Sequence, residues 1–285
     1  MLLVQCWIKD ERDDMATKRI IVIGDIHAGH VAALTPPAWQ QKTVAAEIHT
    51  KHNKFATLQR ELWKHWQALL KKWGPFDLGI SMGDSIDGTG ARSGGTELLT
   101  TDRDAQCDIA ATIHNHVRLH AKRGFGWYGV YGTGYHTGSD GEDWENVVAE
   151  RSGFEKIGSH EWLDVNGCII DIKHHVGGSG VPHGRHTAVA REKLWNVLWA
   201  ERGLVPTASV VLRGHVHYHG YCGAPGWVAM TTPALQGMGS KYGARRCSGL
   251  VDWGIVVIDV APDGTVDWHA DTVTVEAQKA RVIQV

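Results

Sequence analysis

Aspartate and histidine recur beside glycine in five short groups: Gly24-Asp25-Ile26-His27, Gly83-Asp84-Ser85-Ile86-Asp87, Gly132-Thr133-Gly134-Tyr135-His136, His174-His175 and Gly214-His215-Val216-His217. Carboxylate oxygen mixed with imidazole nitrogen suits Mn2+, Fe or Zn2+ rather than Ca2+, which prefers oxygen alone. An Asp and a His two residues apart, just past a strand, can both turn toward one ion, and an adjacent glycine lets the backbone come close. Taken singly, each group reads as readily as a hydrogen-bonded surface or core pair. Taken together they point to one metal centre. The chain has 18 histidines, and its five cysteines (Cys6, Cys107, Cys168, Cys222, Cys247) are scattered and contain no C-x-x-C. Imidazole and carboxylate, not thiolate, are therefore the expected ligands, and a disulfide framework is excluded in favour of a reducing compartment.

Such groups meet only if the fold brings them to one edge, and in open α/β sheets ligands collect at the carboxyl ends of strands. The β-branched run 19–25 (RIIVIGD) predicts a buried parallel strand, and 77–84 (DLGISMGD) predicts a second; both end in Gly-Asp. Between them Phe55, Leu58, Leu62, Trp66, Leu69 and Trp73 recur at spacings of three and four, which predicts a helix that Gly74-Pro75 stops. Ile109, Ile113 and Val117 mark another helix. A strand is expected over 126–131, a short helix near 144–151, and a strand pair over 161–175 that turns at Asn166-Gly167. A glycine-rich stretch, 177–184, precedes a helix carrying Ala190, Leu194, Val197 and Leu198, and strands dominate from Ser209 onward. The pattern is one α/β domain with alternating elements first and antiparallel strands last.

Composition narrows the function classes. With 43% hydrophobic and 21% charged residues the chain is not wholly disordered, and 29 basic against 31 acidic residues exclude binding by bulk positive charge, though not a local basic groove. The apolar stretch 1–8 lacks a basic lead and is cut short by Lys9 to Asp14, so neither a signal peptide nor a membrane span is expected. Met15 followed by Ala-Thr-Lys-Arg resembles a natural start. Residues 1–18 are thus expected to be an extension without function, and 19–285 a single domain, in the cytoplasm and without membrane contact.

The ordered set D-x-H, GD-x-x-D, G-(x)-H, H and G-H-x-H resembles the calcineurin-like metallophosphoesterases over roughly residues 19–220. The resemblance implies a four-layer sandwich, two mixed β-sheets flanked by helices. It implies two divalent ions about 3.5–4 Å apart, the spacing of two-metal phosphoryl-transfer sites. Asp25, His27 and His217 would hold the first ion, Asp84 would bridge, and His215 with His174 or His175 would hold the second; His174 is preferred, as the first polar residue leaving its strand. Mn2+ is the first expectation, with Fe, Zn2+ or Ni2+ also admitted. His136 matches the histidine that bonds the phosphate or protonates the leaving oxygen, and a metal-bridging hydroxide would attack phosphorus.

One motif departs from the family. Where Gly-Asn-His-Asp/Glu is usual, this chain reads Gly132-Thr133-Gly134-Tyr135-His136, like the G-T-x-x-H form of phage-type members. Thr133 or Tyr135 would stand in the Asn place, or Glu142, Asp143 or Glu145 would supply a carboxylate. Asp87 either orients a ligand histidine or caps the turn. His183, Arg185 and His186 follow the fourth motif, where a cation could meet phosphate, Arg185 above all. Gly88 to Gly95 lacks Gly-Lys-Ser/Thr and is read as a flexible substrate-side loop, not a P-loop. His116 and His120 lack the Glu of H-E-x-x-H and are read as helix-surface residues. The 13 tryptophans could stack on bases, but those at helical spacing (Trp63, Trp66, Trp73) belong to the core. The implied activity is phosphate-ester hydrolysis. Nucleotide or nucleic-acid diesters are favoured, monoesters or phosphoproteins are the alternative, and an inactive metal-binding scaffold is a second one. Oligomeric state is left open.

Overall fold

A computed structural model of the chain describes residues 16–45, 50–138, 143–238, 251–279 and 282–284. The expectations for residues 1–14, Cys6, Glu142 and Cys247 lie outside the described residues.

The elements in chain order are β1 (Lys18–Ile23), α1 (Thr50–Trp73), β2 (Phe76–Ser81), α2 (Arg103–Arg118), β3 (Ala121–Val130), the short α3 (Gly134–Thr137), α4 (Trp144–Ser152), β4 (Phe154–Gly158), β5 (Glu161–Val165), β6 (Cys168–Lys173), α5 (Arg185–Ala200), β7 (Val210–Arg213), β8 (Gly220–Ala224), β9 (Trp227–Thr231), β10 (Trp253–Val260) and β11 (Val266–Val273). They form two mixed sheets, ordered β11-β10-β1-β2-β3-β4 and β5-β6-β7-β9-β8. In the first, β1 to β4 run parallel and β10 and β11 antiparallel; in the second, β6, β7 and β9 run parallel with antiparallel edges.

Side-chain alternation explains the layering. In β1, Ile21 and Ile23 face α1 and α2, packing with Leu58, Leu62, Trp66, Ile109 and Ile113. Ile20 and Val22 face the other way, against Ile170, Ile172, Val210 and Leu212 of the second sheet. Both faces of β1 are covered, which is why its sequence is continuously apolar. On the far side of the second sheet Val189 of α5 packs on Val211 and Ala229. The result is helices, sheet, sheet and helix. Each such side chain contributes about 1.5–3 kcal/mol by leaving water. Among the described residues no helix is long and apolar enough to cross a membrane.

Several boundaries differ from expectation. β1 and β2 stop at Ile23 and Ser81, so both Gly-Asp pairs lie beyond the ladder, where the chain can bend. β4 and β8 had no sequence signal: β4 (FEKIG) is a half-polar edge strand, and β8 (GYCGA) a glycine-rich one. The 88–101 stretch is tied to the segment after β1 through Val31 N–H to Glu97 O at 2.9 Å and Leu99 N–H to Gly29 O at 2.6 Å. His116 is half-buried and accepts the Trp66 indole N–H at 3.0 Å, so it is a packing partner of the core helix. The largest difference is α5, whose Leu194, Val197 and Leu198 point to solvent while Ala188, Val189, Lys193 and Asn196 face inward. The sheet beneath is polar there: Arg213, 1% exposed, donates to Asp171 Oδ1 at 2.7 Å and to Glu192 Oε2 of α5 at 2.9 Å. A helix meeting such a floor turns its polar side in.

Candidate metal centre

β1, β2 and β3 of the first sheet and β6 and β7 of the second end at the same edge of the sandwich, and every group singled out in the sequence follows one of these ends. Backbone hydrogen bonds hold neighbouring strand ends together within each sheet, and a further contact joins the two sheets. Asp25 N–H donates to Gly83 O at 3.0 Å, His27 N–H to Asp84 O at 2.9 Å, and Gly214 N–H to His174 O at 2.8 Å. The backbone of His215 donates to the carboxylate of Asp25 at 3.1 Å.

Backbone strain is concentrated at this edge. Among the described non-glycine residues, positive φ occurs at Asp25 (48°), His27 (48°), Asp84 (50°), His215 (73°), His217 (56°) and Asn166 (51°). Asn166 is the hairpin turn, where Asn-Gly adopts that conformation readily. The other five are all candidate ligands, and each costs of order 1 kcal/mol to hold there. Two glycines permit the approach. A Cβ at Gly132 would run into the Asp84 carboxylate and amide, and one at Gly214 would sit 3.1 Å from Asp25 Oδ2.

The side chains form three overlapping clusters: Asp25, His27 and His217; His27, Asp84 and His136; and Asp84, His174 and His215, with the ligand atoms of each within 4.8 Å of one another. His27 Nε2 and His217 Nε2 are 3.1 Å apart, His217 Nε2 lies 3.3 Å from Asp25 Oδ1, and His174 Nε2 lies 3.1 Å from Asp84 Oδ2. Donors bound at roughly 2.1 Å to a common ion are about 3.0–3.4 Å apart in octahedral or tetrahedral shells, and these separations fit. The histidine tautomers fit as well. Nδ1 of His27 faces Asp87 Oδ1 at 3.1 Å, that of His174 faces Met82 O at 2.6 Å, and that of His136 faces Asp87 O at 2.9 Å. With one proton held on Nδ1, each ring, once any second proton is displaced, offers its Nε2 lone pair to the cluster, the arrangement of metal-binding histidines. His174 Nε2 is buried without a hydrogen-bond partner, 3.1 Å from Asp84 Oδ2.

The electrostatics ask for positive charge. Asp25 and Asp84 are 0% and 1% exposed, and burial opposes ionising both; yet His217 holds the Asp25 carboxyl, and His174 the Asp84 carboxyl, well below the usual range. Burial disfavours a proton on His174, but Asp84 and then Asp25 pull it up to about 9. His27 is raised against burial by Asp87 and Asp84. Burial, with repulsion from His174, pushes His215 down to about 4, and burial with repulsion from His27 lowers His136. Two buried carboxylates thus draw protons onto neighbouring imidazoles, a demand that divalent cations would meet.

The other candidates separate clearly. His175 is exposed, with its ring 4.7 Å from that of His215, while His174 is buried in the cluster. Thr133 donates its backbone N–H to Asp84 Oδ1 at 2.6 Å and its hydroxyl to the same oxygen at 3.1 Å, so it orients that carboxylate. Tyr135 is 41% exposed and lies edge-on to His136. Asp143 caps α4 through Glu145 N–H at 3.0 Å. Asp87 takes the first of its two expected roles, orienting His27 by its carboxylate, and its carbonyl also holds His136. The Arg185 guanidinium lies 4.5 Å over the Tyr218 ring, next to His217, and its buried Nε has no hydrogen-bond partner. His183 and His186 are exposed.

Two supports have roles that the sequence did not indicate. Glu145, singled out as a replacement ligand, instead accepts Ser85 N–H at 2.9 Å and Ser85 O–H at 2.7 Å, bracing the residue after Asp84, and burial pushes its carboxyl up to about 7. Asp252 donates its N–H to His217 O at 2.9 Å. Both lie far along the chain from the residues they hold.

No protein-family model and no curated protein matches the chain. Among solved structures it is similar to Vps29 from Cryptosporidium parvum (10% identity, 91% of this chain and 100% of that chain, TM-score 0.43). It is also similar to zinc-complexed Vps29 from Entamoeba histolytica (11%, 89% and 98%, 0.39) and to an archaeal phosphodiesterase (9%, 88% and 99%, 0.39). These are loose likenesses.

Proposed function

We propose that this chain is a dinuclear metal-dependent phosphoesterase. The observation that carries the reading is Asp84, grouped with His174 and His215 on one side and with His27 and His136 on the other, while His27 is in turn grouped with Asp25 and His217. Two divalent cations held there would supply Lewis-acid stabilisation of phosphoryl oxygens and a water of lowered pKa. Mn2+ is the favoured metal from the mixed nitrogen and oxygen donors. The chain's own groups do the rest. Asp87 and Met82 fix the imidazoles, and Thr133 aims Asp84. His136, with Nδ1 held by Asp87 O and Nε2 free, is placed to bond a phosphoryl oxygen or give a proton to the leaving oxygen. Arg185, with its unpaired Nε beside the His217 segment, is the candidate phosphate anchor.

The order of motifs supports membership of the calcineurin-like metallophosphoesterases, with a phage-type third motif in which Thr133 steadies the bridging carboxylate. Nucleotide or nucleic-acid diesters are the favoured substrates, and the cytoplasm the favoured setting, where free Cys107, Cys168 and Cys222 would stay reduced. The test is hydrolysis of a nitrophenyl diester beside the monoester by metal-loaded protein. Faster diester turnover is expected; turnover of neither, in protein with confirmed metal, would leave a metal-binding scaffold.

A further inference from the structure

Helix α5 carries its large apolar side chains outward. Leu194, Trp195, Val197, Leu198 and Trp199 are 57%, 50%, 37%, 45% and 43% exposed, and Leu204 just beyond is 63% exposed. The helix holds to the sheet through its opposite, polar side, where Lys193 donates to Ala208 O at 2.5 Å and Asn196 to Pro206 O at 3.0 Å. Trp195 and Trp199 turn in part over a cavity lined by His160, Trp162 and Asp171, but core packing does not explain Leu194, Val197 and Leu198. On a helical wheel Arg191, Leu194, Leu198 and Glu201 fall on one stripe at spacings of three, four and three, and all four are exposed. An apolar stripe closed at each end by opposite charges is the seam of two packed helices rather than of a helix facing water.

We infer that this face is a homodimer interface in which α5 packs antiparallel against α5 of a second copy, about a two-fold axis level with residue 196. Two-fold symmetry makes every contact twice. Leu194 then meets the partner's Leu198, and Arg191 meets the partner's Glu201. The stripe is complementary to itself only in this reversed direction, because a parallel pairing sets Arg191 on Arg191 and Glu201 on Glu201. That self-complementarity selects a second copy as the occupant. The exposed halves of six large side chains amount to on the order of 500 Å² of apolar surface per copy, the size of the largest, often functional, patch on a monomer. Pairing two such faces buries about 1,000 Å², the lower bound for a specific interface.

The test is the mass of the full chain by sedimentation velocity over about 1–100 µM, a range that spans the affinities expected of a small interface. A dimer is expected, and Leu198→Glu should give a folded monomer, with the far-UV circular dichroism of the wild type and a melting temperature that no longer rises with concentration. Arg191→Glu and Glu201→Arg should each weaken association roughly tenfold, because each sets like charges against one another. The double reversal Arg191→Glu/Glu201→Arg should restore it. A wild-type chain that stays monomeric at the highest concentration overturns the inference, as do single reversals without effect or a double reversal that does not recover.

Discussion

Asp84 and His136 stand within one cluster but are assigned different work, so their losses should differ. Asp84→Ala removes the charge shared between two clusters, and both metal content and turnover should fall. His136→Ala should keep its metal while turnover drops about 10²–10⁴-fold, the usual scale for proton-transfer catalysis. Metal analysis beside nitrophenyl-ester kinetics checks both, and a His136→Ala protein that loses its ions would make this histidine a ligand. Glu145 gives a prediction for stability. Its carboxyl titrates near 7 when folded against 4.5 as a free side chain, because burial favours the neutral form. The folded state therefore binds this proton more tightly, and its contribution is present below pH 4.5 and lost as pH rises toward 7. The difference is about 3 kcal/mol. Glu145→Gln, which keeps an acceptor for Ser85, should gain on wild type by that order between pH 4.5 and 7 in urea unfolding; parallel profiles would contradict the assignment. The site was legible at this scale wherever chemistry needs a rare residue type beside glycine. Glu145 was not, since a buried carboxylate bracing a serine and one awaiting a metal have the same sequence.

At the scale of elements, what could be read was what two-sided burial writes into a strand. Residues 20–23 of β1 and 255–258 of β10 are continuous apolar runs because each is covered on both faces, and α1 announces its buried stripe by its spacing. Edge strands β4 and β8 bury only scattered side chains, such as Phe154 on Trp127 and Cys222 beneath α5, and so leave no such trace. For α5 the periodicity told that a helix forms but not which side faces in, because its partner surface is the polar patch of Asp171 and Arg213. That patch is a buried ionic network: Arg213 holds Asp171 and Glu192, Lys173 reaches Glu192 at 2.7 Å, and His160 reaches Asp171 at 2.9 Å. Arg213→Met would leave Asp171 only His160 and Glu192 only Lys173, both partly exposed, and a loss of about 3 kcal/mol, the low end for breaking a buried ion pair, is expected from denaturant unfolding. A loss under about 1 kcal/mol would mean water already enters between α5 and the sheet.

The whole molecule is a device for bringing the ends of two sheets together. Five strand ends from separate stretches of chain must meet within a few ångströms, and the apolar layer between the sheets sets that meeting, while strained φ values at Asp25, His27, Asp84, His215 and His217 record its cost. The electrostatics predict how the centre responds to pH. His174 holds a proton up to about 9, so below that pH an incoming cation must displace it. Apparent metal affinity should fall by up to about tenfold for each unit of pH lowered from there, and more where His27 joins. Titrations at pH 7 and 8.5 check the sign, and affinity independent of pH would contradict it. The most direct measurement takes the purified chain, strips it with chelator and adds Mn2+ back while counting bound metal and following hydrolysis of a nitrophenyl phosphodiester. Turnover is expected to vanish with the metal and return as two ions bind per chain. Hydrolysis that persists in protein confirmed metal-free, or a chain that takes up no divalent ion, would contradict the account.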